Sequence, residues 1–362
     1  MYKIAHITGA RPHFMKLAPI FHLAKNDERL AQVIVHTGQH YDHSLFGAFL
    51  KEFDLPEPQY DLKVGSGNHT EQIGKMLIKL DQVLLEEKPD IVFVYGDTNS
   101  TAAGAIAAAK SNIALAHVEA GLREFNKNIP EEVNKLLTDS VTDLFFCPTQ
   151  SGVANLQKAG VTTNVHLVGD VVLDLLVDNG KKSESPESLS VQIPDVPYYF
   201  ATCHRASNTN DPERLKGVLT ALAGLEKLVV LPLHPRTKSV IEGYGMTQIL
   251  DSENLLVVDP IGFWNTQALI RNAECVVTDS GGIVKESYFH RTPCVIIDDQ
   301  IEWMEIVNEG WAIITGANGA KIMSAVAGIK RPEVHNDVVG DGKAAKRILG
   351  ITYEFLQNRS EN

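Results

Sequence analysis

Three carboxylates stand where short apolar runs give way to turns. Asp97 follows the run Ile91–Tyr95, and Glu119 follows Ala114–Val118 within HVEAGLR (117–123). Glu131 follows Pro130 in PEEVNK (130–135), at the start of a predicted helix. An Asp after a strand commonly caps the next helix, and a Glu in a first turn is favoured by the helix dipole. Capping accounts for one or two of these residues. Three on neighbouring strand-end loops exceed what capping needs. Crowded carboxylates raise one another's pKa, as general acid and base work near neutrality requires.

Cations and anion-binding turns occur at other strand ends. In Thr8-Gly9-Ala10-Arg11-Pro12-His13, Pro12 suits the start of a helix, and Arg11 then sits where a dipole and a guanidinium both favour an anion. The plain alternative is a surface Arg beside a routine turn. His204, in Ala201-Thr202-Cys203-His204-Arg205, can serve as acid or base near neutral pH. His234 ends the next run, in Leu233-His234-Pro235-Arg236. Thr278-Asp279-Ser280-Gly281-Gly282 leads into a helix carrying Glu286. Ser280, Gly281 and Gly282 can offer N–H groups to a phosphate there, with Glu286 a turn further on, within reach of a sugar diol. A simple Ser N-cap with flexible glycines is the plainer reading. Neither GxGxxG after the first strand nor GxxxxGK[ST] occurs, so dinucleotide and Walker-type phosphate loops are unsupported.

The elements that must position these residues alternate. Ile4–Ile7, Val33–His36, Ile91–Tyr95, Ala114–Val118, Leu144–Cys147 and Val165–Val168 read as strands of one set. Tyr198–Thr202, Leu228–Pro232, Leu255–Val258, Cys275–Thr278, Cys294–Ile297 and Ala312–Ile314 form a second. Helical patterns intervene, which implies α/β architecture with parallel sheets covered on both faces. Between the sets, Asn179–Val196 has linker composition. The expected organisation is two Rossmann-like domains, 1–169 and 170–341, with a helix over 342–362 packing back on the first. Their strand C-termini are expected to face a central cleft, where open α/β sheets bind ligands.

The 362-residue chain has 33 Lys and Arg against 45 Asp and Glu, a net charge of −12. That balance excludes a nucleic-acid backbone or an anionic membrane as the main partner. No run reaches the roughly 18 apolar residues of a membrane span, and the N-terminus lacks the pattern of a signal peptide. Cys147, Cys203, Cys275 and Cys294 are far apart and form no CxxC pair. Buried free thiols in a reducing cytoplasm are expected, with no metal site.

The ordered set GARP, HTGQH (36–40), GDT (96–98), HVEAGLR, PEE-x-N, HR (204–205), HP (234–235) and TDSGG-x-x-x-E (278–286) resembles the non-hydrolysing UDP-N-acetylglucosamine 2-epimerase family. The resemblance spans Ile4 to about Trp311 and implies the glycosyltransferase-B architecture, a homodimer, a UDP-sugar substrate and no added cofactor. It implies elimination of UDP to a 2-acetamidoglycal followed by readdition. Asp97, Glu119 and Glu131 would be the acid/base carboxylates, and Arg11 and His204 would assist departure of the diphosphate. Arg123 and His234 would contact substrate, Ser280, Gly281 and Gly282 the phosphates, and Glu286 the ribose. GARP-x-F-x-K, HTGQHYD, GDTNST and PLHPRT are more similar to a subgroup acting on UDP-2,3-diacetamido-2,3-dideoxy-glucuronate for surface polysaccharide such as O-antigen. His13, where the N-acetylglucosamine enzymes carry a carboxylate, would make that loop kinder to a uronate. Alternatives are a hydrolysing epimerase, which would accumulate UDP, a glycosyltransferase, which would need an acceptor, and an inactive nucleotide-sugar binding protein.

Overall fold

A computed structural model describes residues 1–39, 43–180 and 194–360, with no side chains described at 43–46. His40 and most of the expected linker therefore lie outside the described residues. The chain divides into two compact units, Met1–Asp178 with Val338–Asn362, and Asn179–Asp337. The division falls at 178/179, not at 169/170.

The first unit runs β1 (Tyr2–Thr8), α1 (Arg11–Ala24), β2 (Leu30–His36), α2 (His43–Glu52), β3 (Tyr60–Asp61), α3 (His69–Glu87), β4 (Ile91–Tyr95), α4 (Asn99–Lys110), β5 (Ala114–Val118), α5 (Pro130–Asp139), β6 (Leu144–Cys147), α6 (Gln150–Lys158), β7 (Val165–Leu167) and α7 (Val171–Asn179). The sheet order is β3-β2-β1-β4-β5-β6-β7, and every pairing is parallel. Val92 and Val94 of β4 and Ala5 and Ile7 of β1 meet Met76, Leu80 and Leu84 of α3 and the alanines of α4 in one buried cluster. Small alanines let α4 lie close on the sheet. Its start is fixed by a capping box between Thr98 and Thr101.

The second unit continues with β8 (Tyr198–Thr202), α8 (Ala206–Thr209), α9 (Pro212–Ala223), β9 (Leu228–Pro232), α10 (Pro235–Gly243), α11 (Thr247–Leu250), β10 (Leu255–Val258), α12 (Phe263–Asn272), β11 (Cys275–Thr278), α13 (Gly281–Phe289), β12 (Cys294–Ile296), α14 (Met304–Asn308), β13 (Ala312–Ile314) and α15 (Gly319–Gly328). Its order, β10-β9-β8-β11-β12-β13, is the 3-2-1-4-5-6 arrangement of a Rossmann sheet. Val229, Leu231, Val277 and Val295 pack on Leu215, Val218, Leu219 and Leu222 of α9 to form its core. All four cysteines are buried free thiols, and burial pushes Cys147 and Cys294 up to about 12.

The last helix, α16 (Ala344–Ser360), returns to the first unit and packs on α1. Asp174 of α7 caps it, accepting from Ala344 N at 3.1 Å and Ala345 N at 2.7 Å. That cap and the buried Val171, Val172 and Leu175 tie α7 to the first unit, so the crossing lies beyond it.

Two histidines, one fully buried and one partly, make stability depend on pH. His6 is fully buried, with Nδ1 2.7 Å from the Tyr95 hydroxyl and Nε2 3.1 Å from Gln32 Oε1. Burial lowers its pKa to about 4, and chiefly burial does the same to His290 in the second unit. Between pH 6.5 and 4 the unfolded chain binds protons that these folded rings refuse, so stability present above 6.5 is lost on acidification. The cost is about 2 kcal/mol for each ring at pH 5. Asp174 runs the other way, because burial raises its carboxyl to about 6 and its proton is held more tightly in the folded state. The unfolding midpoint should therefore fall from pH 7 to pH 5, and more steeply in Asp174→Asn. Profiles equally flat in both proteins would contradict this account.

Candidate active site

Chain order reverses between β1 and β4 in the first sheet and between β8 and β11 in the second. Ligands of open α/β sheets bind outside the strand C-termini at such switch points. The loops leaving β1, β4, β5, β8, β9 and β11 carry almost every residue singled out from sequence.

In the first unit Arg11 opens α1 with its guanidinium over the Phe49 ring, 5.2 Å from the centroid. His13 is not at the surface and does not present itself to a ligand. It is fully buried; Nδ1 accepts from Gly9 N at 3.0 Å, and Nε2 lies 3.1 Å from Thr98 Oγ1. A backbone N–H can only donate, so His13 joins the loops after β1 and β4 with its Nδ1 unprotonated. The uronate argument built on His13 falls away.

Glu119 is held at the end of β5 with φ +74°, a left-handed conformation that costs a non-glycine residue about 1–3 kcal/mol. Its N–H and that of Ala120 both donate to Phe146 O, at 3.1 and 3.0 Å. Its Oε1 lies 2.5 Å from Lys16 Nζ, and both side chains are largely buried. Gly96, at φ +60°, makes room: a Cβ there would stand 2.7 Å from Lys16 Nζ and 3.5 Å from Glu119 Oε1. Next to it, Asp97 places Oδ2 3.4 Å from Lys135 Nζ, and its main-chain oxygen accepts from Asn134 Nδ2 at 2.9 Å. The second turn of α5 thus lies beside Asp97. Glu131, three and four residues before Asn134 and Lys135, shares their helix face and is exposed. Its neighbour Glu132 is buried and accepts from Glu124 N at 2.8 Å. Asp97 and Glu119 each have an ammonium close by, an arrangement that the expected crowding of acids alone did not include.

Arg123 is buried rather than presented to a ligand. Its NH2 lies 2.6 Å from Asp139 Oδ2, and its NH1 donates to Leu122 O at 2.8 Å. Asp139 was not singled out from sequence, and Lys16 entered only as the last residue of GARP-x-F-x-K, with no role attached. The signal for Lys16 was a lone cation in an otherwise apolar helix, Phe14-Met15-Lys16-Leu17-Ala18.

In the second unit Asp279, fully buried, organises the turn after β8. Its carboxylate accepts from His204 N at 3.1 and 3.0 Å, Arg205 N at 3.0 Å and Asn208 Nδ2 at 3.1 Å. The His204 ring, half exposed, has Nδ1 3.6 Å from Asp279 Oδ1. Arg205 turns away to Asp298 at 3.0 Å. Ser280 caps α13, its hydroxyl accepting from Ile283 N at 3.4 Å, which leaves the N–H groups of Gly281 and Gly282 at the helix tip for a ligand. Glu286 is buried, takes a 2.6 Å hydrogen bond from Gln267 Nε2, and directs Oε1 toward Gly282. Gln267 is oriented in turn by His290, 2.9 Å from its Oε1. His234 caps α10 through Nδ1, 3.3 Å from Arg236 N, and its ring is exposed. Among the described residues no group of acidic, His and Cys side chains could hold a metal ion.

The UDP-N-acetylglucosamine 2-epimerase family profile matches residues 22–352. The chain is 41% identical to a UDP-N-acetylglucosamine 2-epimerase homolog of Methanococcus maripaludis, over 96% of this chain and 99% of that protein. It is 40% identical to the UDP-2,3-diacetamido-2,3-dideoxy-D-glucuronate 2-epimerase of Pseudomonas aeruginosa, over 96% and 98%. The crystal structure of Methanocaldococcus jannaschii UDP-GlcNAc 2-epimerase, in complex with UDP-GlcNAc and UDP, superposes with a TM-score of 0.91 at 37% identity, covering 97% of this chain and 99% of that one. Two Rossmann-like units of the glycosyltransferase-B type and similarity along nearly the whole length lead to one conclusion: the chain belongs to the UDP-N-acetylglucosamine 2-epimerase family.

Proposed function

We propose that this chain inverts C2 of a UDP-2-acetamido sugar without hydrolysis, by eliminating and re-adding UDP. The observation that carries the reading is the pair of separate carboxylates, Asp97 and Glu119, on adjacent strand-end loops, each with its own ammonium. Inversion takes a proton from one face of C2 and returns one to the other, so it needs two groups. A carboxylate takes the C2 proton, and the C2–H electrons become the C1=C2 bond of a 2-acetamidoglycal. The C1–O bond breaks, and its electron pair leaves with UDP. In the return step a diphosphate oxygen bonds C1, and C2 takes a proton from the other face. The sequence is redox-neutral and calls for no electron carrier.

Asp97, Glu119 and Glu131 supply the acid and base groups, and Lys16 fixes Glu119. Arg11 and His204 meet the charge that develops on the departing diphosphate. Ser280, Gly281 and Gly282 hold phosphate, Glu286 the ribose hydroxyls, and His234 the nucleotide side, while Arg123 acts from behind the site. The same reading makes the enzyme a cytoplasmic homodimer serving surface-polysaccharide synthesis. Among the described residues no helix is long and apolar enough to cross a membrane.

Two sugars are in contention, the N-acetylglucosamine nucleotide and the 2,3-diacetamido-uronate nucleotide. Incubation of each in D2O should place deuterium at C2 of the product from the true substrate, with UDP never exceeding a trace. Accumulating UDP would mean a hydrolysing enzyme, and exchange with neither sugar would end the epimerase reading.

A further inference from the structure

Beneath the loops that carry Asp97 and Glu119 lies a buried group that the mechanism above does not use. Asp139, the last residue of α5, is 5% exposed. Its Oδ1 is 2.7 Å from His117 Nδ1, and its Oδ2 is 2.6 Å from Arg123 NH2 and 3.3 Å from Gly121 N. The other ring nitrogen of His117, Nε2, donates to Gly96 O at 2.7 Å. A carbonyl offers no proton, so Nε2 carries hydrogen, and one further proton lies between Nδ1 and the carboxylate. His117 and Arg123 hold Asp139 below the usual carboxylate range, so it stays the acceptor of all three bonds.

These contacts tie together the backbones from which the acid/base side chains project. Gly96 precedes Asp97. Gly121 lies two residues after Glu119 at φ +81°, where a Cβ would stand 2.3 Å from Gly152 O, so this loop is closely packed and cannot shift freely. Asp139 itself ends the helix whose first turn bears Glu131 and whose second bears Lys135. The segment 117–123 thus meets the end of α5 at one carboxylate, and His117 carries the contact on to Gly96. A strained residue such as Glu119, at φ +74°, persists only where its surroundings over-determine it.

We infer that Asp139 is a positioning residue for the epimerisation: through His117 on one side and Arg123 and Gly121 on the other, it holds the Asp97 and Glu119 loops and α5 in the mutual register that proton transfer at C2 requires. The inference rests on the proposed epimerase reading. It assigns Asp139 no contact with substrate. Small misplacements of reacting groups reduce rate far more than they reduce binding, and apart from Arg11 the groups proposed to hold UDP belong to the second unit.

The test compares Asp139→Asn with wild type for turnover, KM, UDP affinity and the ratio of UDP released to epimer formed. The amide keeps the shape and one acceptor but cannot serve both His117 and Arg123. The expected result is kcat lowered about 10–100-fold, KM and UDP affinity within about threefold of wild type by the same argument, and a raised share of free UDP and glycal, because a misplaced acid returns the proton less often. A purely structural role would leave that ratio unchanged. His117→Gln retains a donor for Gly96 O and should lose less, with the same rise in the ratio; it decides the matter if Asp139→Asn does not fold. Wild-type kcat and ratio in either folded variant would overturn the inference. A wild-type enzyme without C2 exchange would instead overturn the epimerase reading, so the two failures are distinguishable.

Discussion

Glu119→Gln is expected to lower C2 deuterium exchange by about 10²–10⁴-fold, the usual contribution of a positioned acid or base, while UDP still binds. The substitution is close to isosteric, and Gln at φ +74° is strained no more than Glu, so backbone geometry is not the variable. What is lost is an oxygen able to take a proton, together with the partner charge of Lys16, which lies 2.5 Å away with its side chain 8% exposed. Breaking a buried pair by removing one partner typically costs about 3–5 kcal/mol. Here the amide oxygen still accepts a hydrogen bond from the ammonium, so the loss belongs at the lower end. Stability and chemistry separate in the double variant Lys16→Met with Glu119→Gln, which leaves no unpaired charge. Its unfolding midpoint should recover toward wild type while exchange stays lost. If Glu119→Gln turned over normally, Glu119 would leave the catalytic set and the strained turn at the end of β5 would need another explanation. UDP affinity, measured by calorimetry, serves as the control, because apart from Arg11 the groups proposed to hold the nucleotide stand in the second unit.

The sheets were legible in the sequence because their strands are short continuous runs of β-branched and aromatic residues between turns. Ala114–Val118, Leu228–Pro232 and Cys275–Thr278 end in the structure where the hydrophobic runs end. The two-residue edge strand Tyr60–Asp61 gave no such signal, since two residues carry no periodicity. The candidate residues at strand ends were legible for the same reason, because open α/β sheets bind ligands outside their strand C-termini. Their partners were not. Lys16 meets Glu119 across 103 positions of sequence, and His117 meets Asp139 across 22. Local pattern reports which face of a helix is apolar, not which distant loop that face meets. His13 was misplaced for that reason. Read beside Arg11 it looks like loop surface, but the turn of α1 buries it against Thr98.

Glu286→Gln should produce the opposite kinetic signature, with UDP affinity reduced about 10–100-fold and turnover at saturation nearly unchanged. In the proposed reading Glu286 carries two duties with two oxygens: Oε2 accepts from Gln267 Nε2 at 2.6 Å, and Oε1, which faces Gly282 at the tip of α13, takes the ribose. A Gln side chain has one oxygen. If it answers Gln267, an amide NH2 faces the hydroxyl donors of the ribose; if it turns to the ribose, two NH2 groups confront each other in a buried site. Either arrangement forfeits one hydrogen bond to a charged group, worth about 1.5–3 kcal/mol. Because the lost contact is to a part of the substrate that does not react, it is made equally in the ground and transition states, and its removal raises KM without lowering kcat. Glu119→Gln removes a contact made only as the proton moves and should do the reverse. The two variants assayed side by side with the same UDP-sugar therefore test the division of labour itself. A kcat defect in Glu286→Gln as large as that in Glu119→Gln would mean that nucleotide binding and C2 chemistry are not carried by separate units.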